Sequence, residues 1–155
     1  MEIRIAGVND IDQIKLLLDR NFDEVMVKYH KRSVLDKYKS HNTIESLSSQ
    51  LKWKTVYVVE LDGEVIATGA FVNFGSAVAP KYSVSNLYVK PELHSMGIGL
   101  LLVEQLIKDA KNNNANTFHV PSSINAIGFY ERMGFTIDEE QHEKEDEITW
   151  MTMRM

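Results

Sequence analysis

Two rhythms of apolar and polar positions run along the chain. EIRIA (2–6) alternates with a period of two, which predicts a strand, and Ile11, Ile14, Leu17 and Leu18 follow at helical spacing with Asn9 or Asp10 placed to cap the helix. Residues 22–41 carry Val25, Tyr29, Val34, Leu35 and Tyr38, a looser pattern that predicts one or two short helices. Asn42 with Glu45 three positions later has the spacing of a capping box, ahead of a face made by Ile44, Leu47 and Leu51. TVYVVE and EVIATGAFVNF predict two strands joined through Leu61, Asp62 and Gly63, the Asp-Gly pair being a hairpin signal. After the loop GSAVAPK comes a strand, YSVSNLYV, and then a helix from about Ile98 to Lys111 with Ile98, Leu101, Leu102 and Leu106 on one face, ended at 112–114 by three asparagines. TFHV is a short strand. Ser122 or Ser123 caps a helix through INAIGFYERM that stops at Gly134 in the left-handed region, and FTI and EITWMTMRM are two last strands around DEEQHEKEDE.

The order is β-α-α-β-β-β-α-β-α-β-β: an α/β (α+β) fold with a mixed sheet and helices packed on it. No repeat, linker or low-complexity stretch divides it, so residues 1–155 are expected to form a single domain. At 44% hydrophobic and 25% charged, 155 residues suffice for one substantial core. A net charge of -5 argues against a grip on nucleic acid, which needs a clustered basic surface. No apolar run is long enough to span a bilayer, and MEIRIAGVND has neither a basic nor an apolar leader region, so no membrane partner and a cytoplasmic location are expected. The chain has no cysteine, which excludes disulfides, thiolate metal sites and a cysteine-bound covalent intermediate; no metal site is expected.

One stretch then stands out. HSMGIG (94–99) puts two glycines at the start of a good helix, although glycine costs about 1 kcal/mol against alanine inside one. A strand, a glycine-rich turn and a helix N-terminus together aim backbone N–H groups and the positive end of the helix dipole at an anion. A P-loop would need Gly-Lys-Ser/Thr, but Leu100 and Leu101 follow Gly99. A dinucleotide fingerprint would need a third glycine where Leu102 stands, early in a βαβ unit.

The stretch resembles the Arg/Gln-x-x-Gly-x-Gly/Ala signature of GNAT-superfamily N-acetyltransferases, matching it at Gly97 and Gly99, with His94 in place of the usual Arg or Gln. NAIGFYERMGF (125–135) is similar to that family's Asn-x-x-Ala-x-x-Phe-Tyr-x-x-x-Gly-Phe block, differing in where the alanine falls, and LYVKPEL is similar to its approach to the loop. The resemblance implies a mostly antiparallel sheet of six to seven strands that splays between the fourth and fifth, and acetyl-CoA as co-substrate in the splay. It implies backbone amides from Ser95, Met96, Gly97, Ile98, Gly99 and Leu100 around the pyrophosphate, the backbone of Leu87, Tyr88 and Val89 beside the pantetheine arm, and Asn125 opposite. His94 could lend a ring N–H to a phosphate or cap the loop.

The implied reaction is direct attack of a neutral amine on the thioester, with an N–H of the fourth strand, at Val89, as donor to the oxyanion. Tyr130 holds the family's general-acid position for the leaving thiolate; outside that motif it reads as a packing tyrosine beside Phe129. The family's glutamate on the fourth strand is absent, since Ser83, Ser85 and Asn86 cannot take a proton near neutral pH. The base is then an ordered water, or His119 on the fifth strand, or Glu60; as the bland alternative His119 is a satisfied strand histidine, and His30 has no assigned place.

The acceptor expected is an amine, as a small molecule or a peptide. Tyr29, Tyr38, Trp53 and the acidic run 138–147 could receive it, although aromatics at helical spacing usually pack and the run reads as a solvated hairpin connection. A non-catalytic acyl-CoA-binding module is the rival reading. The strand ITWMTM either pairs with a second copy in a homodimer or completes the sheet.

Overall fold

The computed structural model describes residues 1–155, apart from the side chain of His142. Its strands are β1 (Glu2–Ile5), β2 (Thr55–Leu61), β3 (Glu64–Asn73), β4 (Tyr82–Val89), β5 (Thr117–Ser122), β6 (Thr136–Glu143) and β7 (Ile148–Arg154). Its helices are α1 (Ile11–Glu24), α2 (Arg32–Ser40), α3 (Ile44–Gln50), α4 (Ile98–Asn112) and α5 (Ile127–Arg132). The strands form one sheet in the order β1-β2-β3-β4-β5-β7-β6. Neighbours are antiparallel except β4 and β5, which run parallel.

The sequence pattern carries through to this arrangement, with three helices rather than two ahead of β2. Two expected caps form differently. Asp10 does not cap α1 with its side chain, because its carboxylate faces back, accepting two hydrogen bonds from the Arg4 guanidinium and one from the Gly7 N–H, all at 2.8 Å. Thr43, not Asn42, caps α3 by accepting from the Ser46 N–H at 3.1 Å. Asn42 is instead buried, donating to the Tyr38 carbonyl and accepting from Asn86.

The sheet has a core on each face. Leu102, Leu106, Phe118, Phe135 and Met151 are fully buried beneath α4 and α5, while Leu18, Phe22 and Val58 lie under α1 to α3. Burial of each such side chain contributes about 1.5–3 kcal/mol. β3 is covered on both sides, so its interior residues from Val65 to Val72 are all buried and read as a continuous apolar run. Opposite it, β4 bulges at Asn86 (φ +49°), where the register with β3 shifts. Gly69 accommodates the bulge: a Cβ there would stand 2.7 Å from Leu87 Cδ1. α5 ends as its pattern predicts. Gly134 (φ +104°) donates to Glu131 O and Phe135 N–H reaches back to Tyr130 O, a Schellman closure that holds Tyr130 in the last turn. β7 lies between β5 and β6, so both backbone edges of ITWMTM are paired within the chain and it completes the sheet rather than joining a second copy. Among the described residues no helix is long and apolar enough to cross a membrane.

Candidate active site

β4 and β5 pair only at Tyr82 with Phe118 and Ser83 with His119, then separate. The opening leaves one edge of β4 free. Lys90 donates its N–H to Ile66 on the β3 side, so by strand alternation the N–H groups of Leu87 and Val89 point into the gap. An open cleft of about 540 Å³ occupies it. Leu87, Tyr88 and Val89 line one side, the loop from His94 to Leu100 lines the end, and Asn125 and Phe129 face them. Met96 is the exception in that loop, 68% exposed and outside the lining.

The two glycines do different work. Gly97, the N-terminal flank of α4, has φ +82° with open space where a Cβ would go, so it is needed for its backbone conformation. Gly99 is helical, and a Cβ there would stand 3.3 Å from Phe129 Cζ and 3.8 Å from Val89 Cγ2, so it is needed for closeness. Ser95 (φ +66°) completes the turn. The first N–H groups of α4 have no partner within the helix until Leu101 donates to Gly97 O, which leaves free N–H groups at the start of a helix 15 residues long. His94 forms a loop cap: its Nε2 lies 2.8 Å from Val89 O, and because a carbonyl only accepts, Nε2 carries the proton. Asn21 donates to the same oxygen at 3.0 Å.

A second cavity of about 220 Å³ adjoins the first. Met26, Leu87, Tyr88, Ser123 and Ala126 line both. Tyr130 lines this second cavity alone, at 5% exposure, its ring packed edge-on against Phe129 and Phe135. Burial, and then the nearby Tyr88 phenol, push its pKa well above that of an ordinary tyrosine, so it is a protonated hydroxyl at any physiological pH.

His119 is not here. Phe118 and Val120 pack in the core with Tyr130, so His119 between them points to the opposite face, where its ring nitrogens meet Thr117 and Thr152 hydroxyls and its edge meets Phe74. Glu60 accepts from Arg4 at 2.9 Å and lines neither cavity. His30 has a fully buried ring beside a third cavity of about 340 Å³; its Nδ1 stands 3.4 Å from Glu147 Oε1, and neither ring nitrogen makes a hydrogen bond.

The family model for the acetyltransferase (GNAT) domain matches residues 25–155. The chain belongs to this family. Among solved structures, PaiA N-acetyltransferase from Thermoplasma acidophilum, in complex with coenzyme A, superposes with a TM-score of 0.84 at 15% identity, over 99% of this chain and 98% of its own. A predicted acetyltransferase with acetyl-CoA from Clostridium acetobutylicum gives 0.71 at 21% identity, over 92% and 94%. A ribosomal-protein-alanine N-acetyltransferase from Brucella melitensis gives 0.72 at 16% identity, over 100% of both chains. At these identities the likeness is one of fold. No curated protein matches the sequence.

Within this GNAT domain the structure adds several lining residues that the sequence reading did not name for the site. Arg132 stands at the cleft's edge, and Asn21, Val25 and Met26 close it from α1 and the turn beyond. Arg132 lies inside NAIGFYERMGF, seven residues past Asn125 on a helix whose first turns face the cleft, so helical spacing alone could have found it. Tyr29 and Trp53 are half or more exposed, whereas Tyr38 lines the second cavity and donates to the Asp146 carbonyl. The acidic turn 144–147 is pinned to α2 by Lys37 on Asp146 and by the Lys31 N–H on Glu147.

Proposed function

We propose that the protein is an acetyl-CoA-dependent N-acetyltransferase that moves the acetyl group directly to a primary amine of a small molecule or peptide. The observation that carries this is the shared wall: Leu87 and Tyr88 border both the cleft, whose end is an amide-lined helix N-terminus, and the cavity holding the Tyr130 phenol. A thioester arm lying along β4 from the α4 end therefore reaches the second cavity from one side, and an amine in that cavity meets it from the other. The cleft suits coenzyme A chemically. Free N–H groups of Gly99 and Leu100 with Arg132 face the phosphates, and Val25, Leu87, Val89 and Phe129 offer apolar surface to the arm.

In this reading the free N–H of Val89 or Leu87 donates to the oxyanion formed on amine attack, held in place because His94 and Asn21 fix the Val89 carbonyl. Tyr130 donates its proton to the departing thiolate. Its raised pKa keeps the phenol protonated across the working range and makes the phenolate quick to recover its proton, at the cost of a weaker driving force for donation to the thiolate. The absence of cysteine fits direct transfer.

The test is thiol release from acetyl-CoA against a panel of amines, with Tyr130→Phe alongside. The variant is expected to bind coenzyme A as wild type does and to turn over at least about tenfold more slowly. Equal turnover would remove Tyr130 from the chemistry, and coenzyme A binding with no thiol released to any amine would favour the acyl-CoA-binding module.

A further inference from the structure

The acceptor must lose a proton before its nitrogen can attack, and the second cavity holds no carboxylate to take it. Its titratable lining is Tyr38, His41, Tyr88 and Tyr130. The phenols are unsuitable bases, since burial raises all three, Tyr38 to about 12. Behind the wall lies a different group. Lys54, in the turn between α3 and β2, has no carboxylate partner among the described residues. Its Nζ stands 2.8 Å from Ser85 Oγ, 2.9 Å from Gln50 Oε1 and 4.8 Å from the centre of the Trp53 ring. Ser85, on β4, lines the acceptor cavity.

Resting on the acetyl-transfer reading above, we propose that Lys54 is the terminal proton acceptor of the reaction, working through the Ser85 hydroxyl. In the neutral form Nζ has one lone pair and Ser85 Oγ–H points at it. The acceptor ammonium loses an N–H proton to Ser85 Oγ as the Ser85 proton passes to Nζ. The electron pair left on the acceptor nitrogen forms the new C–N bond; Ser85 ends unchanged and Lys54 ends as an ammonium. Charged, Lys54 gives its three N–H groups to Ser85, Gln50 and the Trp53 face. Trp53 is 60% exposed, so that side is open for the proton to leave to water.

The surroundings support a switchable charge. From α3 Lys54 faces Gln50, from β4 Ser85, and from its own turn Trp53; beyond Ser85 the cavity presents the three phenols and His41, and no carboxylate. Desolvation alone lowers its pKa, to about 8. At pH 7.5 about a quarter of it is then neutral, against roughly one in a thousand for an ordinary lysine. Lys54 thus fills the place of the glutamate that β4 lacks, and sequence gave no hint of it because nothing local marks a desolvated lysine.

The experiment is the pH dependence of kcat/KM with the best amine, for wild type, Lys54→Met, Lys54→Arg, Ser85→Ala and His41→Gln, with coenzyme A affinity measured on each. The wild-type rate should rise through a limb near pH 8. That limb should vanish in the two Lys54 variants and in Ser85→Ala, with rates at least about tenfold lower below pH 8 and converging on wild type as the acceptor's own pKa is approached. His41→Gln should keep the limb. NMR titration of the lysine amino groups should show one midpoint near 8 that is absent in Lys54→Arg. A uniform loss of rate at all pH values, or a limb abolished by His41→Gln instead, would overturn the proposal while leaving acetyl transfer intact. A wild type that acetylates no amine would overturn both.

Discussion

Gly97 and Gly99 are two residues apart, yet substituting each by alanine should have opposite profiles. At Gly97 the backbone sits at φ +82°, and nothing lies within 4 Å of an added methyl. The cost of Gly97→Ala is therefore purely conformational, about 1–2 kcal/mol for a left-handed L-residue, less about 0.4–1 for the stiffer unfolded chain. A net loss of about 1 kcal/mol lowers the Tm of a chain this size by about 2–4 °C. At Gly99 the residue is already helical, so alanine gains about 1 kcal/mol of helix propensity. That gain is offset by a methyl 3.3 Å from the Phe129 ring, which must yield by a few tenths of an ångström. Gly99→Ala should leave Tm within about 1–2 °C. Its methyl enters the cleft wall between Val89 and Phe129, however, and should weaken coenzyme A binding about tenfold, the equivalent of one impaired hydrogen bond to a charged group. Thermal unfolding with and without coenzyme A, beside calorimetric titration, measures both effects. Gly97→Asn should recover much of the stability, since asparagine tolerates the left-handed region. A larger fall in Tm for Gly99→Ala than for Gly97→Ala would refute the assignment of conformation to one glycine and closeness to the other.

Arg4, and then the Gly7 N–H, hold the Asp10 carboxyl below the usual carboxylate range. A lowered folded value means the unfolded chain takes up the proton first, so this contribution is full above about pH 4 and is lost as pH falls through the folded value. Asp10→Asn should cost about 1–2 kcal/mol at pH 7 in urea unfolding, with the gap to wild type closing on acidification; a gap independent of pH would refute the ion-pair account. His30→Phe should raise stability by about 1 kcal/mol, because it removes two buried nitrogens that make no hydrogen bond, Nδ1 standing 3.4 Å from Glu147 Oε1, and keeps the edge-on ring contact with Tyr38, centroids 5.8 Å apart. A fall in Tm would show that the Glu147 contact outweighs the cost of burying the imidazole.

What the sequence made legible was governed by short-range physics. The Asp62-Gly63 hairpin, the left-handed Gly134 and the turn at Gly97 each express a backbone requirement that only neighbouring residues decide, and all three adopt positive φ. The helices after residue 22 were blurred because Thr43 and Asn42 compete for one cap, and the winner depends on Asn86, 44 positions away, drawing Asn42 inward. The side of the sheet on which His119 emerges is a matter of register with Phe118 and Val120, which a four-residue pattern leaves open. Lys54 and Asn21 acquire their places only from partners brought by the fold, Ser85 in one case and the Val89 carbonyl in the other.

The clasp between the 144–147 turn and α2 has a kinetic consequence. Its hydrogen bonds join residues 116, 109 and 108 positions apart, so nearly the whole chain must be in place before any of them can close. Its ion pair is solvent-exposed and individually weak. The clasp, whose Tyr38 borders the second cavity, should therefore close late and open early, and it should exchange its amide hydrogens well before the sheet beneath it. Added salt should favour that local opening by screening the Lys37–Asp146 pair, while the fold stands unchanged.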